Sequence, residues 1–174
     1  PDTEASVLEI PLSNSKFLYE LPDLSNDTSV LSKVEKDVHR IIAPKKEVSM
    51  TRFIIGEGST ILVGGLAFLS ILSGHHTPYR VFAAENVELK TLNLDKADTT
   101  IAKMLKNHSL QPYSKNFTSF EDFDLFEYDL EDDGLRHDIG IEGLCTLSVR
   151  GQGQTIRVAL PKGAALKESL SKIR

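Results

Sequence analysis

The sequence predicts an α+β fold: a mainly antiparallel sheet with two or three amphipathic helices packed on it. Apolar residues recur at helical spacing in two segments, around residues 30–42 and 95–108. In several other segments they alternate with polar residues, which is the period of a half-buried strand. The chain has 174 residues, of which 40% are apolar and 26% charged, and these values are typical of one globular domain.

The N-terminal part differs from the rest of the chain. Val7 to Ile10 and Phe17 to Leu21 are short extended pieces that Pro11 separates, and they carry few apolar residues. We therefore expect residues 1–24 to form an arm that packs on another surface, and residues 25–174 to form a single α+β domain. The first residues, PDTEAS, lack the basic start and apolar run of a secretory signal.

The first helix is predicted between the loop at Pro22 and Pro44. Its apolar face consists of Val30, Leu31, Val34, Val38, Ile41 and Ile42. Pro44 ends the helix, because proline disfavours the helical conformation of the residue before it.

The apolar run that follows has two interpretations. One is a buried helix from Ser59 to Leu72, and the other is a pair of strands, Thr60 to Val63 and Leu66 to Leu72. Length favours the helix, whereas the β-branched residues and the Gly64-Gly65 pair favour strands, and the balance leans slightly towards the helix. The run is shorter than the ~20 residues that span a bilayer, which favours a buried core segment, and peripheral membrane contact stays open as a minority interpretation without support.

Strands and a second helix are predicted in the middle of the chain. Tyr79 to Phe82 and Val87 to Leu92 have extended patterns. Asp95 begins a helix whose apolar face contains Ala97, Ile101, Met104, Leu105 and His108.

The C-terminal third predicts a hairpin followed by a helix. Cys145 to Val149 and Ile156 to Leu160 alternate as strands on either side of a glycine-bearing loop, and Ala164 to Ile173 is predicted to form a short basic helix. Cys145 is the single cysteine, so an internal disulfide is excluded and a reducing, cytoplasmic setting is favoured.

The most distinctive segment is acidic and aromatic. Eight of the thirteen residues from Glu121 to Asp133 are acidic, and without them the net charge of −5 becomes 20 − 17 = +3. Phe126, Tyr128 and Leu130 alternate with Glu127, Asp129 and Glu131, which predicts a half-buried edge strand. We call the candidate binding residues the acidic stripe: Glu121, Asp122, Phe123, Asp124, Phe126, Glu127, Tyr128, Asp129 and Glu131.

A basic counter-surface is expected on and after the first helix. Its residues are Lys33, Lys36, Arg40, Lys45 and Lys46. Acidic residues are interspersed among them and the isoelectric point is near 5.5, so we do not expect nucleic acid as a partner.

Catalytic and metal motifs are absent from the sequence. His75-His76 is interpreted as an exposed turn, and His137-Asp138 as a surface charge cluster without a nucleophile motif. The acidic segment lacks the mid-loop glycine of an EF-hand, so we expect neither a metal nor a cofactor.

Charge segregation then favours a non-enzymatic function. The sequence predicts a binding or self-assembling module that contacts copies of itself or another protein, in the manner of a viral matrix, coat or accessory protein. One alternative is an acidic inhibitor or immunity-type protein that blocks a basic site. A small hydrolase is the second alternative.

Overall fold

Two antiparallel sheets make up most of the molecule. The computed structural model describes residues 27–43 and 48–171, so the expected arm at residues 1–24 lies outside the described residues. In these ranges ten strands form two five-stranded sheets, and only two short α-helices accompany them. The α+β class with several helices packed on one sheet is therefore wrong, because segments expected to be helical pair as strands.

The chain passes repeatedly between the two sheets. In order the strands are β1 (Val48–Ile55), β2 (Ser59–Val63), β3 (Ala67–Ser73), β4 (Thr77–Ala84), β5 (Leu89–Asn93), β6 (Phe123–Asp129), β7 (Arg136–Ile141), β8 (Cys145–Arg150), β9 (Thr155–Pro161) and β10 (Leu166–Leu170). The first sheet has the order β1-β4-β8-β7-β10, and the second has the order β5-β2-β3-β9-β6. The helices are α1 (Lys36–Ile42) and α2 (Leu94–Asn107).

Both sheets contribute to one hydrophobic core. Val81, Ile139 and Leu147 of the first sheet are fully buried, as are Leu69 and Val158 of the second, and all belong to one apolar cluster. Every second residue of each strand points to the same face, so the inner faces of the two sheets supply the core.

The apolar run after β1 is two strands, so the helix expected from Ser59 to Leu72 is wrong. β2 and β3 pair with each other through a turn at Gly64, whose φ of 54° favours glycine. β3 is buried on both faces from Ala67 to Ile71, and the Phe68 ring packs against the rings of Phe120 and Phe123. A strand buried on both faces shows no alternation, and periodicity alone cannot then distinguish it from a helix.

Two C-terminal predictions also need correction. The strands β8 and β9 exist as expected, but they lie in different sheets and do not form a hairpin. Within the segment from Ala164 to Ile173 that is predicted as a helix, Leu166–Leu170 instead form the strand β10, which pairs with β7. In both places the available partner strand, rather than the local propensity, determines the structure.

The helical predictions are partly confirmed. The first helix breaks at Val34, which is extended, into a 3₁₀ turn at Val30–Lys33 and the helix α1. The second matches α2, with Ala97, Ile101 and Leu105 buried. Neither described helix is long and apolar enough to cross a bilayer.

Candidate functional site

The acidic stripe lies on a lateral edge of the second sheet. β6 pairs only with β9 among the described residues, which confirms the predicted edge strand. Leu125, Glu127 and Asp129 are exposed on its outer face, while Phe126 and Tyr128 are half-buried against the core. The exposed leucine, at 62%, gives the carboxylates an apolar neighbour.

The N-terminal residues of the stripe have structural partners. Asp122 Oδ2 accepts hydrogen bonds from the backbone N–H groups of Thr118 (2.9 Å) and Ser119 (3.2 Å), which completes a capping box. Asp124 accepts one from the backbone N–H of Gly163 at 3.1 Å. These two carboxylates therefore stabilise local turns.

Phe123 lies in the core rather than on the surface. It is 5% exposed, and its ring centroid lies 5.3 Å from that of Phe68 and 5.6 Å from that of Phe117. The exposed carboxylates of the stripe are those of Glu121, Glu127, Asp129 and Glu131. Among them, Asp129 accepts a hydrogen bond from the Thr155 hydroxyl at 2.9 Å.

A histidine clamp anchors this edge to the other sheet. His137 on β7 is buried, with a side chain only 6% exposed. Its Nδ1 lies 2.5 Å from Glu168 Oε2 on β10, and its Nε2 lies 2.9 Å from Asp133 Oδ2 in the loop after β6. Tyr128 of β6 lines the same cleft as Glu168, and its hydroxyl interacts with the Glu168 carboxylate. The expectation that His137 belongs to a surface charge cluster at a turn is therefore wrong.

The clamp alters the protonation of its members. Burial alone would lower the pKa of His137, but its hydrogen bonds to Glu168 and Asp133 outweigh burial and raise the pKa. The Tyr128 hydroxyl, followed by His137, lowers the pKa of Glu168, while the backbone N–H of Leu135, followed by His137, lowers that of Asp133. The arrangement thus favours the charged form of each group, an imidazolium between two carboxylates.

The basic counter-surface is less concentrated than the sequence indicates. Lys45 and Lys46 lie outside the described residues. Lys36 and Arg40 are exposed on α1, and the Arg40 guanidinium lies 3.8 Å from Asp37 of the same helix, whereas Lys33 is half-buried beside Gly163. Among the described residues the exposed basic groups of the predicted counter-surface are therefore Lys36 and Arg40, with Asp37 beside them.

A denser cationic surface lies on the outer face of the first sheet. We call it the arginine face, and it consists of Arg52, Arg80, Arg136 and Arg150. Arg52 of β1 stands directly opposite Arg80 of β4, and Arg136 of β7 stands directly opposite Arg150 of β8. Like charges in such positions destabilise a sheet.

The arginine face has few internal partners. Asp138 is the acidic residue whose negative charge favours the charged form of Arg136. None of the four arginines forms a salt bridge with another described residue. Burial, then the charges of Arg80 and Arg150, lowers the pKa of Arg136. The surface thus carries positive charge that no ion pair among the described residues neutralises, and sequence reasoning missed it because its members come from four separate strands.

Beside the arginine face, β1 forms a free sheet edge. It pairs only with β4 among the described residues. Val48, Met50 and Ile54 are 46%, 49% and 58% exposed, and they lie on the same face of β1 as Arg52. An exposed edge strand with apolar side chains is a site at which another strand can pair.

The comparisons with known proteins add no function. Within the described residues no group of His, Cys, Asp and Glu side chains is arranged to hold a metal ion. No family model matches the chain. It is similar to an uncharacterized protein of Bacillus subtilis (strain 168), YqeH, with 25% identity over 163 residues, which cover 94% of this chain but 44% of that protein. The chain thus spans less than half the length of this relative.

Proposed function

We propose that this chain is a non-enzymatic binding module that assembles with copies of itself through oppositely charged surfaces. The acidic surface is the exposed part of the acidic stripe on β6, and the cationic surface is β1 with the arginine face. Charge of opposite sign on two surfaces speeds association and selects the orientation of the partners.

The observation that carries the proposal is the position of the two surfaces. Tyr128 of β6 and Glu168 of β10 line the same cleft, so β6 lies beside β10, at one end of the first sheet. β1 lies at the other end of that sheet, four strand spacings away. At about 4.8 Å per spacing, the two edges are separated by roughly 19 Å. One copy cannot bring its own edges together, so their complementarity supports a head-to-tail contact between copies.

Sizing the protein at two salt concentrations tests the proposal. The screening length falls from about 30 Å at 0.01 M salt to about 3 Å at 1 M, so a contact between exposed charges weakens as salt rises. We expect sedimentation velocity to show species larger than the monomer at low salt and mainly monomer at high salt. A protein that is monomeric at both concentrations would refute self-assembly.

Two matched variants identify the surface. Replacing Glu127 and Glu131 by Gln and Asp129 by Asn removes three exposed charges of the stripe, and this variant should remain monomeric at low salt. The control removes three exposed charges elsewhere, through Asp27→Asn, Glu57→Gln and Glu85→Gln. It should assemble like the parent, and an equal loss of assembly in both variants would show that only net charge matters.

We also place this module in a reducing, intracellular setting. Cys145 is free and buried, and burial raises its pKa to about 12, which disfavours the reactive thiolate. A structural thiol of this kind needs no oxidising environment.

A further inference from the structure

We propose that the contact between copies is strand addition, in which β1 of one copy pairs antiparallel with β6 of the next. This inference rests on the proposed self-assembly and names its geometry. Each strand offers a row of backbone N–H and C=O groups that pair with no other strand among the described residues. Backbone pairing between two such edges supplies hydrogen bonds without any change in either sheet.

The side chains select one register. Placing Arg52 opposite Glu127 puts Ile54 opposite Leu125 on the same outer face. Arg52, Ile54, Glu127 and Leu125 are all exposed in the single copy. Opposite charges and paired apolar side chains are the cross-strand contacts that stabilise antiparallel sheets. This register thus matches a cation with an anion and covers the two most exposed apolar residues of β1 and β6.

The inner faces agree with the same register. It brings Phe53 opposite Phe126, and both rings are half-buried beside the core of their own copy. Pairing therefore extends the two cores towards each other rather than burying charge. The antiparallel direction matches every described strand pair in both sheets, and antiparallel ladders are slightly more stable per residue than parallel ones.

Strand addition also relieves an unfavourable contact. Arg52 stands opposite Arg80 within the sheet, and the other side of β1 carries no described strand. A carboxylate from Glu127 of a second copy would lie on that open side. It would offset the repulsion that the pair of arginines creates in the isolated protein.

A charge exchange tests the pairing. Arg52→Glu and Glu127→Arg each place like charges across the contact, so each variant alone should lose low-salt assembly. An equimolar mixture should regain it, because the two substituted side chains have opposite charges, and the unchanged Arg52 of one variant meets the unchanged Glu127 of the other. Unchanged thermal unfolding of each variant ensures that the fold is intact. Failure of the mixture to assemble, while the parent assembles, overturns the proposed pairing but leaves self-assembly standing.

Cross-linking fixes the register and direction. Ile54→Cys and Leu125→Cys proteins, mixed at low salt with oxidised glutathione, should form a disulfide-linked dimer, because opposed Cα atoms of an antiparallel pair lie about 4.5–5.5 Å apart, within the range that a disulfide spans. The control uses Met50→Cys in place of Ile54→Cys. If the two strands were parallel, with Arg52 still opposite Glu127, Met50 rather than Ile54 would lie opposite Leu125. Preferential linkage through Met50, or no linkage in a protein that still assembles, would contradict the antiparallel register. A parent that stays monomeric at every salt concentration would reject both the strand addition and the proposed function.

Discussion

His137 shows how one residue connects the acidic edge to the rest of the molecule. One ring nitrogen contacts the Glu168 carboxylate of β10, and the other contacts the Asp133 carboxylate in the loop after β6. The Tyr128 hydroxyl of β6 also interacts with Glu168. Four side chains from both sheets thus share one polar cluster. A buried charge is tolerated when it is paired and hydrogen-bonded, as this imidazolium is.

The clamp makes stability depend on pH. His137 has a raised pKa in the folded protein, so its contribution is complete below its ordinary value of 6.5 and is lost as pH rises through the folded value. Glu168 has a lowered pKa, so its contribution is present above its ordinary value of 4.5 and is lost as pH falls. We expect the melting temperature to be highest between these two pH values and to decline above 6.5.

His137→Gln separates this effect from other titrations. The variant should melt lower than the parent near pH 6, and its melting temperature should no longer share the parent's decline above pH 6.5. Differential scanning calorimetry across the pH range measures both quantities. An equal decline in parent and variant would mean that His137 is neutral in the folded protein.

At the scale of single elements, α2 is the most predictable part of the chain. Its apolar face follows from spacing alone, and Leu105 is 3% exposed in the structure. Leu105→Ala should therefore lower the free energy of unfolding by about 2–5 kcal/mol, from lost burial and the cavity that remains. Urea denaturation measures the change, and Lys103→Ala, at an exposed position of the same helix, is the control. A change below about 0.5 kcal/mol, the range of ordinary surface substitutions, would be inconsistent with this packing.

The sequence did not predict which strands pair with each other. The alternation in β8 and β9 correctly indicates two strands, but it says nothing about which strand each one pairs with. The glycine-bearing loop after Arg150 resembles a hairpin turn in composition, yet it leads to the other sheet. In β10, local helix-forming residues yield to pairing with β7, a contact between distant parts of the chain.

At the scale of the whole molecule, the two charged surfaces differ in how far they could be predicted. The residues of the acidic stripe lie in one short segment of the chain, so the alternation within that segment predicts the strand, its position at the sheet edge and its exposed carboxylates. The arginine face is assembled from residues between Arg52 and Arg150 that become neighbours only through the register of four strands. The clamp was missed for the same reason, because Asp133, His137 and Glu168 meet only when β10 joins β7.

The passage of the chain between the sheets has a consequence for how the protein acquires its structure. β4 lies between β1 and β8, and β3 lies between β2 and β9, so each sheet joins strands from both halves of the chain. Neither half can complete a sheet or cover its apolar face alone. We therefore expect fragments cut between α2 and β6 to lack dispersed amide resonances when separate. The intact chain should unfold in a single cooperative transition that near-UV and far-UV circular dichroism report at the same denaturant concentration. A fragment with a native-like spectrum would instead identify an autonomous folding unit within the two sheets.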